Sequence, residues 1–147
     1  MFISINGGRL PEASTKYSVG LDVFANEECD VWSGFTEVIK LGIKLDLDFI
    51  KKHDLQINHY LALEVRSSMR MREISSLGTG IIDLDYPDEI KLILHNHSKS
   101  GLIKFKRGDK IGLLILMQHN PHHTWDYRTT NAERISGKSN RSCRFWR

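Results

Sequence analysis

The sequence predicts an all-β fold of sandwich or barrel type. Three observations carry that prediction: hydrophobic alternation of period two, closely spaced turn signals, and almost no helical periodicity. Ile39, Leu41, Ile43, Leu45 and Leu47 alternate with Lys40, Gly42, Lys44, Asp46 and Asp48, as one strand with a single buried face requires. Leu61, Leu63 and Val65 follow the same rule, as do Ile90, Leu92 and Leu94, with Lys91 at an outward position. Ile103 and Phe105 begin another short strand. Gly108-Asp109-Lys110 then turns into Ile111 to Met117, an apolar run suited to a strand buried on both faces. Asn6-Gly7-Gly8, Ser33-Gly34 and Ser100-Gly101 supply further turns. The one helical signal is a single turn from Phe49 to His53, with Asp48 as its cap.

A chain of 147 residues suits one domain, and 40% apolar with 27% charged residues is a globular composition rather than a disordered one. No apolar run nears the roughly 18 residues of a membrane-spanning helix, and the N-terminus lacks a basic segment ahead of a hydrophobic stretch. Both features argue against membrane insertion and secretion. Cys29 and Cys143 are too few for a disulfide framework and read as reduced thiols of a cytoplasmic protein, host cytoplasm if the source is viral. Charge is unevenly spread. Residues 128–147 hold six basic side chains against Glu133 alone, a net +5, which leaves −2 for the rest of a chain whose total is +3. We read 1–127 as a β domain and 128–147 as a mobile basic arm that meets phosphate.

Four clusters stand out from this scaffold: Val19-Gly20-Leu21-Asp22-Val23-Phe24-Ala25, Val65-Arg66-Ser67-Ser68, Gly80-Ile81-Ile82-Asp83-Leu84-Asp85-Tyr86, and Gly108-Asp109-Lys110-Ile111. Arg66 offers a planar fork of donors to phosphate oxygens, with the hydroxyl and backbone donors of Ser67 and Ser68 beside it. The same residues also read as a surface ion pair at a strand end. Asp83 alternates with Ile82 and Leu84 and so points away from them; a carboxylate there serves as a base toward water or, with Asp85, as a turn former before Tyr86-Pro87. Asp22 reads equally as a turn-stabilising acid. His95, His97, His119, His122 and His123 lack the convergent set that a tetrahedral metal site needs.

In order and spacing the four clusters resemble the motifs of the trimeric dUTPase family, which read approximately AGxDLxA, PRSS, GxIDxDYxG and GDRIAQL. The resemblance implies a jelly-roll-like subunit of a homotrimer, each active site built from three chains. It implies hydrolysis of dUTP to dUMP and pyrophosphate by water attack at the α-phosphorus, limiting uracil incorporation into DNA and supplying dUMP. Asp83 would activate the water, and Arg66, Ser67 and Ser68 would hold phosphates. Gly80, Ile81 and Ile82 would present backbone groups to uracil, while Tyr86 would pack on the deoxyribose and exclude a 2′-hydroxyl. Lys91 is a further candidate contact or a solvated strand lysine. The family's Mg²⁺ is carried mainly by the phosphates and water, with Asp22 as an acceptor for metal-bound water. Glu133-Arg134 resembles the start of the fifth motif, ERGxGGFGSTG, with Arg134 reaching the γ-phosphate.

The likeness has gaps. Val65 stands for proline, Leu113 for a phosphate-contacting glutamine, and Pro87-Asp88 for Arg-Gly. Lys138 and Ser139 replace the second glycine and the base-covering phenylalanine, for which Phe145 or Trp146 could substitute in a shifted register. These gaps keep three alternatives open: a weakly catalytic regulatory protein on the same fold, a related enzyme of another deoxynucleotide such as a dCTP deaminase, and a nucleic-acid binder using the arm. The segment Asp83-Leu84-Asp85-Tyr86 favours the dUTPase branch over the deaminases, and no nucleic-acid or membrane partner is expected.

Overall fold

Period-two alternation becomes antiparallel pairing throughout the computed structural model, which describes residues 1–76, 80–99 and 101–119. In chain order the strands are β1 (Phe2–Ser4), β2 (Leu21–Phe24), β3 (Cys29–Trp32), β4 (Thr36–Lys40), β5 (Ile43–Leu45), β6 (His59–Val65), β7 (Ile74–Ser76), β8 (Gly80–Asp83), β9 (Lys91–Asn96), β10 (Leu102–Phe105) and β11 (Lys110–Gln118). Among the described residues they form a four-stranded sheet β2-β11-β6-β8, a three-stranded sheet β4-β9-β7, and the pairs β1-β5 and β10-β3. The two larger sheets close on one core: Val23, Leu61, Leu63, Val65 and Leu114 from the first, Ile39, Ile74, Leu92 and Leu94 from the second. The architecture is the all-β, jelly-roll-like sandwich that the sequence predicts.

Three local expectations change. The single strand from Ile39 to Leu47 is two strands, because Gly42 takes φ +65° and its N–H donates to Glu89 Oε1 at 2.9 Å instead of to a ladder. The apolar positions stay buried on either side of that kink, from Ile39 at 0% exposed to Leu45 at 2%. Leu47 leaves the strand pattern altogether and opens helix α1 (Leu47–Lys52). The cap of α1 is Asp46, whose Oδ1 accepts the Phe49 N–H at 3.1 Å, and Asp48 falls inside the first turn, where its charge suits the helix dipole.

The third change concerns β11, which is buried on one face rather than two. Ile111, Gly112 and Leu114 point into the core, whereas Met117 is 38% exposed. By register, Leu113, Ile115 and Met117 share the outer face of the sheet with Tyr60 of β6 and Ile81 of β8. On that face Leu113 and Ile115 are half-buried, and Ile81 is 65% exposed.

Cys29 begins β3 opposite Phe105. Burial, with the acidic charges of Glu37, Glu27 and Asp30, pushes its thiol up to about 11, so it stays protonated and unreactive near neutral pH. Cys143 lies outside the described residues. No described helix is long and apolar enough to cross a membrane.

Gly112 lies between its neighbouring strands and Leu92 of the second sheet. A β-carbon there would stand 2.9 Å from Val23 Cγ2, 3.0 Å from the Glu64 carbonyl oxygen and 3.2 Å from Leu92 Cδ2. Gly112→Ala is predicted to lower unfolding free energy by about 1–3 kcal/mol through overpacking. Denaturant melts with an unchanged midpoint would contradict this packing.

Candidate active site

The site is built from the two ends of β6. At its C-terminal end the chain stays extended through Arg66 (φ −65°, ψ 150°) and then turns into the short helix α2 (Ser67–Arg70). Ser67 and Ser68 are exposed on this corner, and Arg66 is half-buried. Its Nε lies 3.4 Å from Oδ1 of Asp22, a β2 residue only 3% exposed. Oδ2 of the same carboxylate accepts from the Ser14 hydroxyl and, at 2.9 Å, from Lys110 Nζ. Lys110 also lies 3.7 Å from Glu12, which pairs with Arg9 at 2.8 Å. Arg9, Glu12, Lys110, Asp22 and Arg66 thus form a chain of alternating sign, with Arg66 at one end.

Lys110 reaches Asp22 because of a β-bulge. Along β11, Leu113 pairs with Asp22, so strict alternation would send Lys110 to the opposite face. The register shifts between Lys110 and Gly112, which pairs Lys110 with Phe24 and returns it to the face of Asp22. Burial alone would push the Asp22 carboxyl up. The Ser14 hydroxyl and the charges of Lys110 and Arg66 outweigh burial and hold it below its ordinary value.

At the N-terminal end of β6, Tyr60 pairs with Asp83, the last residue of β8. Asp83 is exposed while Leu84 is 3% exposed, in keeping with their opposed directions. Its carbonyl accepts the Tyr86 N–H at 3.1 Å, closing a turn over Leu84 and Asp85. Tyr86 is half-buried against the core. Beside this turn lies a cavity of about 440 Å³ lined by Gln56, His59, Tyr60, Asp83, Asp85 and His119 among others. His59 Nδ1 is buried without a hydrogen-bond partner among the described residues. Ile81, 65% exposed, also lines the cavity, whereas Ile82 packs on the core. Gly80 fits tightly against β6, since a β-carbon there would meet the Leu63 carbonyl at 3.1 Å.

Four motifs far apart in sequence therefore meet on one sheet, β2-β11-β6-β8, with the acidic turn and the arginine corner at opposite ends of its second-last strand. The family model for dUTPase matches residues 7–143. The chain belongs to the dUTPase family. Among curated dUTPases, that of Rickettsia massiliae is 29% identical over 132 residues, spanning 88% of this chain and 84% of its own. The dUTPase of Debaryomyces hansenii is 27% identical over 116 residues, 79% of this chain and 67% of its own. In the Candida albicans relative the match covers 64% of the length, so the chain spans about two thirds of its yeast relatives. Among solved structures, the dUTPase of EIAV superposes with TM-score 0.63 at 26% identity, covering 87% of this chain and 98% of that one. The Streptococcus mutans dUTPase gives TM-score 0.67 at 21% identity, covering 81% and 95%.

Within this dUTPase domain the expected residues fall into separate groups. Asp22, Arg66, Ser67 and Ser68 gather at one end, and Ile81, Asp83 and Tyr86 at the other, while Gly80 lies opposite Leu63, midway along β6. Lys91 lies on the second sheet, exposed and opposite Lys40, outside the cavity. Arg134, Phe145, Trp146, Lys138, Ser139 and the boundary at 127/128 lie outside the described residues. Asp22, expected beside metal-bound water, accepts hydrogen bonds from Ser14 and Lys110 and forms an ion pair with Arg66. Among the described residues no three His, Cys, Asp or Glu side chains come together to hold a metal. Ser14 and the Gln56–His59–His119 wall carried no motif signal, and strict alternation hides Lys110 from Asp22.

The lowered Asp22 group sets a pH dependence. Its contribution to stability is fully present above the ordinary value of 3.8 and is lost as pH falls through the lower value it has in the fold. The melting temperature of the native chain is predicted to fall more steeply as pH drops below 3.8 than that of Asp22→Asn. Parallel curves for the two proteins would contradict the assignment.

Proposed function

We propose that this protein hydrolyses dUTP to dUMP and pyrophosphate, with Asp83 activating the attacking water. The observation that carries this reading is the exposed Asp83 carboxylate at a cavity mouth, on the family's domain, with an anchored arginine on the same sheet. Arg66, Ser67 and Ser68 bind phosphate oxygens. Strand β8 is an edge of its sheet among the described residues, so the outer backbone groups of Gly80, Ile81 and Ile82 are open to hydrogen-bond a uracil edge. Tyr86, wedged between the turn and the core, packs on the deoxyribose. Arg134 is a secondary contact in this reading, reaching the γ-phosphate, whereas Lys91, outside the cavity, is a solvated strand lysine.

A single copy does not bring these groups together. Tyr60 to Arg66 is six steps along a strand, roughly 20 Å at about 3.4 Å per residue. An α-phosphate beside Asp83 therefore needs an arginine corner from another copy. The partly exposed apolar face of Leu113, Ile115 and Met117 supports such an association, and the reading is a homotrimer with shared sites. Mg²⁺ carried by the triphosphate would neutralise its charge; the dUTPase of Staphylococcus aureus phage phi11 coordinates a structural Mg(II) ion. Asp22, held by two cations, does not fit as a ligand to that ion's water. A cytoplasmic setting accords with the two cysteines.

A second reading, a weakly catalytic binding protein, is favoured by one observation: Leu113 lies directly between Asp22 and Glu64, where the family motif carries a phosphate-contacting glutamine. Pyrophosphate release from a panel of deoxynucleoside triphosphates with Mg²⁺ separates the two. We expect release from dUTP above all others, and none from any substrate would refute the hydrolase reading. Asp83→Asn should abolish turnover while nucleotide affinity is kept, because shape survives and the base does not; persistent turnover would remove Asp83 from that role. Leu113→Gln should tighten dUTP binding several-fold, about one added hydrogen bond to a charged group, and an unchanged KM would show that the position does not face phosphate.

A further inference from the structure

Arg66 is held from one side. Its Nε faces Asp22, and no other carboxylate contacts its guanidinium among the described residues, which leaves both Nη groups without an acidic partner. The carboxylate that holds it is itself immobilised. Asp22 lies on β2, its backbone N–H and carbonyl pair with Glu12, and Oδ2 is shared by Ser14 and Lys110. A carboxylate buried between two cations is poorly suited to attract a third, since like charges repel strongly where water is scarce. It is well suited to fix the orientation of a guanidinium.

We propose that Asp22 is a positioning residue that anchors Arg66 through Nε and aims its two Nη groups at the polyphosphate of the substrate, with Lys110 and Ser14 holding the carboxylate in register. The bulge between Lys110 and Gly112 is the device that makes this possible. Without it the ammonium lies on the other face, and Asp22 has one cation to hold instead of two. The inference rests on the hydrolase reading only for the identity of the anion.

The roles open to Asp22 differ in sign. Removing a negative charge beside Arg66 strengthens anion binding if only net charge matters. It leaves metal-free binding unchanged if Asp22 acts through a metal's water. It weakens metal-free binding if Asp22 aims the guanidinium. Calorimetric titration of the full chain with inorganic tripolyphosphate in EDTA distinguishes them. Asp22→Asn should weaken binding about tenfold, the value of one phosphate hydrogen bond lost from a misaimed guanidinium. In an Arg66→Met background the same change should have an effect within about twofold, as coupled residues require. Binding by Asp22→Asn as tight as the native chain's, or an undiminished effect in the Arg66→Met background, overturns the proposal.

Should Asp22→Asn not fold, as judged by its melt, Ser14→Ala serves in its place. It removes one support of the carboxylate and should weaken binding several-fold, about half the loss expected of the anchor itself; native binding by Ser14→Ala overturns the proposal equally. Failure of the hydrolase reading is seen separately. A native chain that binds tripolyphosphate through coupled Asp22 and Arg66 yet releases no pyrophosphate from dUTP refutes the activity and sustains the anchor.

Discussion

The spacing along β6 constrains everything else about the site. This strand pairs with β8 on one side and β11 on the other, so it is held straight in the middle of its sheet. An antiparallel ladder of that kind advances by a fixed rise and cannot be shortened by side-chain motion. Asp83 is tied to Tyr60 at one end and Arg66 follows Val65 at the other. One chain therefore carries two half-sites facing different surroundings, and chemistry that needs both calls for more than one copy. The need for more than one copy follows from strand geometry, and the number three from family membership.

The two half-sites are built on opposite electrostatic logic. At the arginine corner charges alternate through five residues, and the buried acid is satisfied by a hydroxyl and two cations, so the corner is stiff and preorganised for an anion. The acidic turn has an exposed carboxylate beside an open cavity, with an imidazole nitrogen buried and unpartnered on its wall among the described residues. On the proposed reading, a stiff corner would suit a gripped phosphate and an accessible turn would suit a reacting water, as phosphoryl chemistry depends on positioning and charge neutralisation more than on a strong nucleophile.

Strand β11 links these features to the departures from the family pattern. Its bulge delivers Lys110 to Asp22, its glycine admits the second sheet, and its Leu113 presents an apolar side chain where a polar one is usual. One apolar substitution on the face of Asp22 and Glu64 removes a donor without disturbing the ladder. The scaffold can therefore be retained while catalytic strength is tuned, since function resides in the site and not in the fold.

Much of this was legible from the sequence alone. Period-two alternation and turn residues predicted the all-β class, because a pleated strand with one buried face permits no other pattern. Four motifs in order identified the family and singled out Asp83 and Arg66, whose residue types match the chemistry required of them. What the sequence left undetermined shares one physical cause: alternation fixes which face a residue takes only while the register is unbroken. Gly42 breaks it between β4 and β5, Asp46 ends it at α1, and the bulge reverses it for Lys110. The outer half of β11 read as core because an apolar side chain does not declare whether its cover comes from its own chain or from another. Only tertiary packing decided that Asp22, an acid equally at home in a turn, became the buried partner of Arg66, because Ser14, Lys110 and Arg66 reach it from three segments remote in sequence.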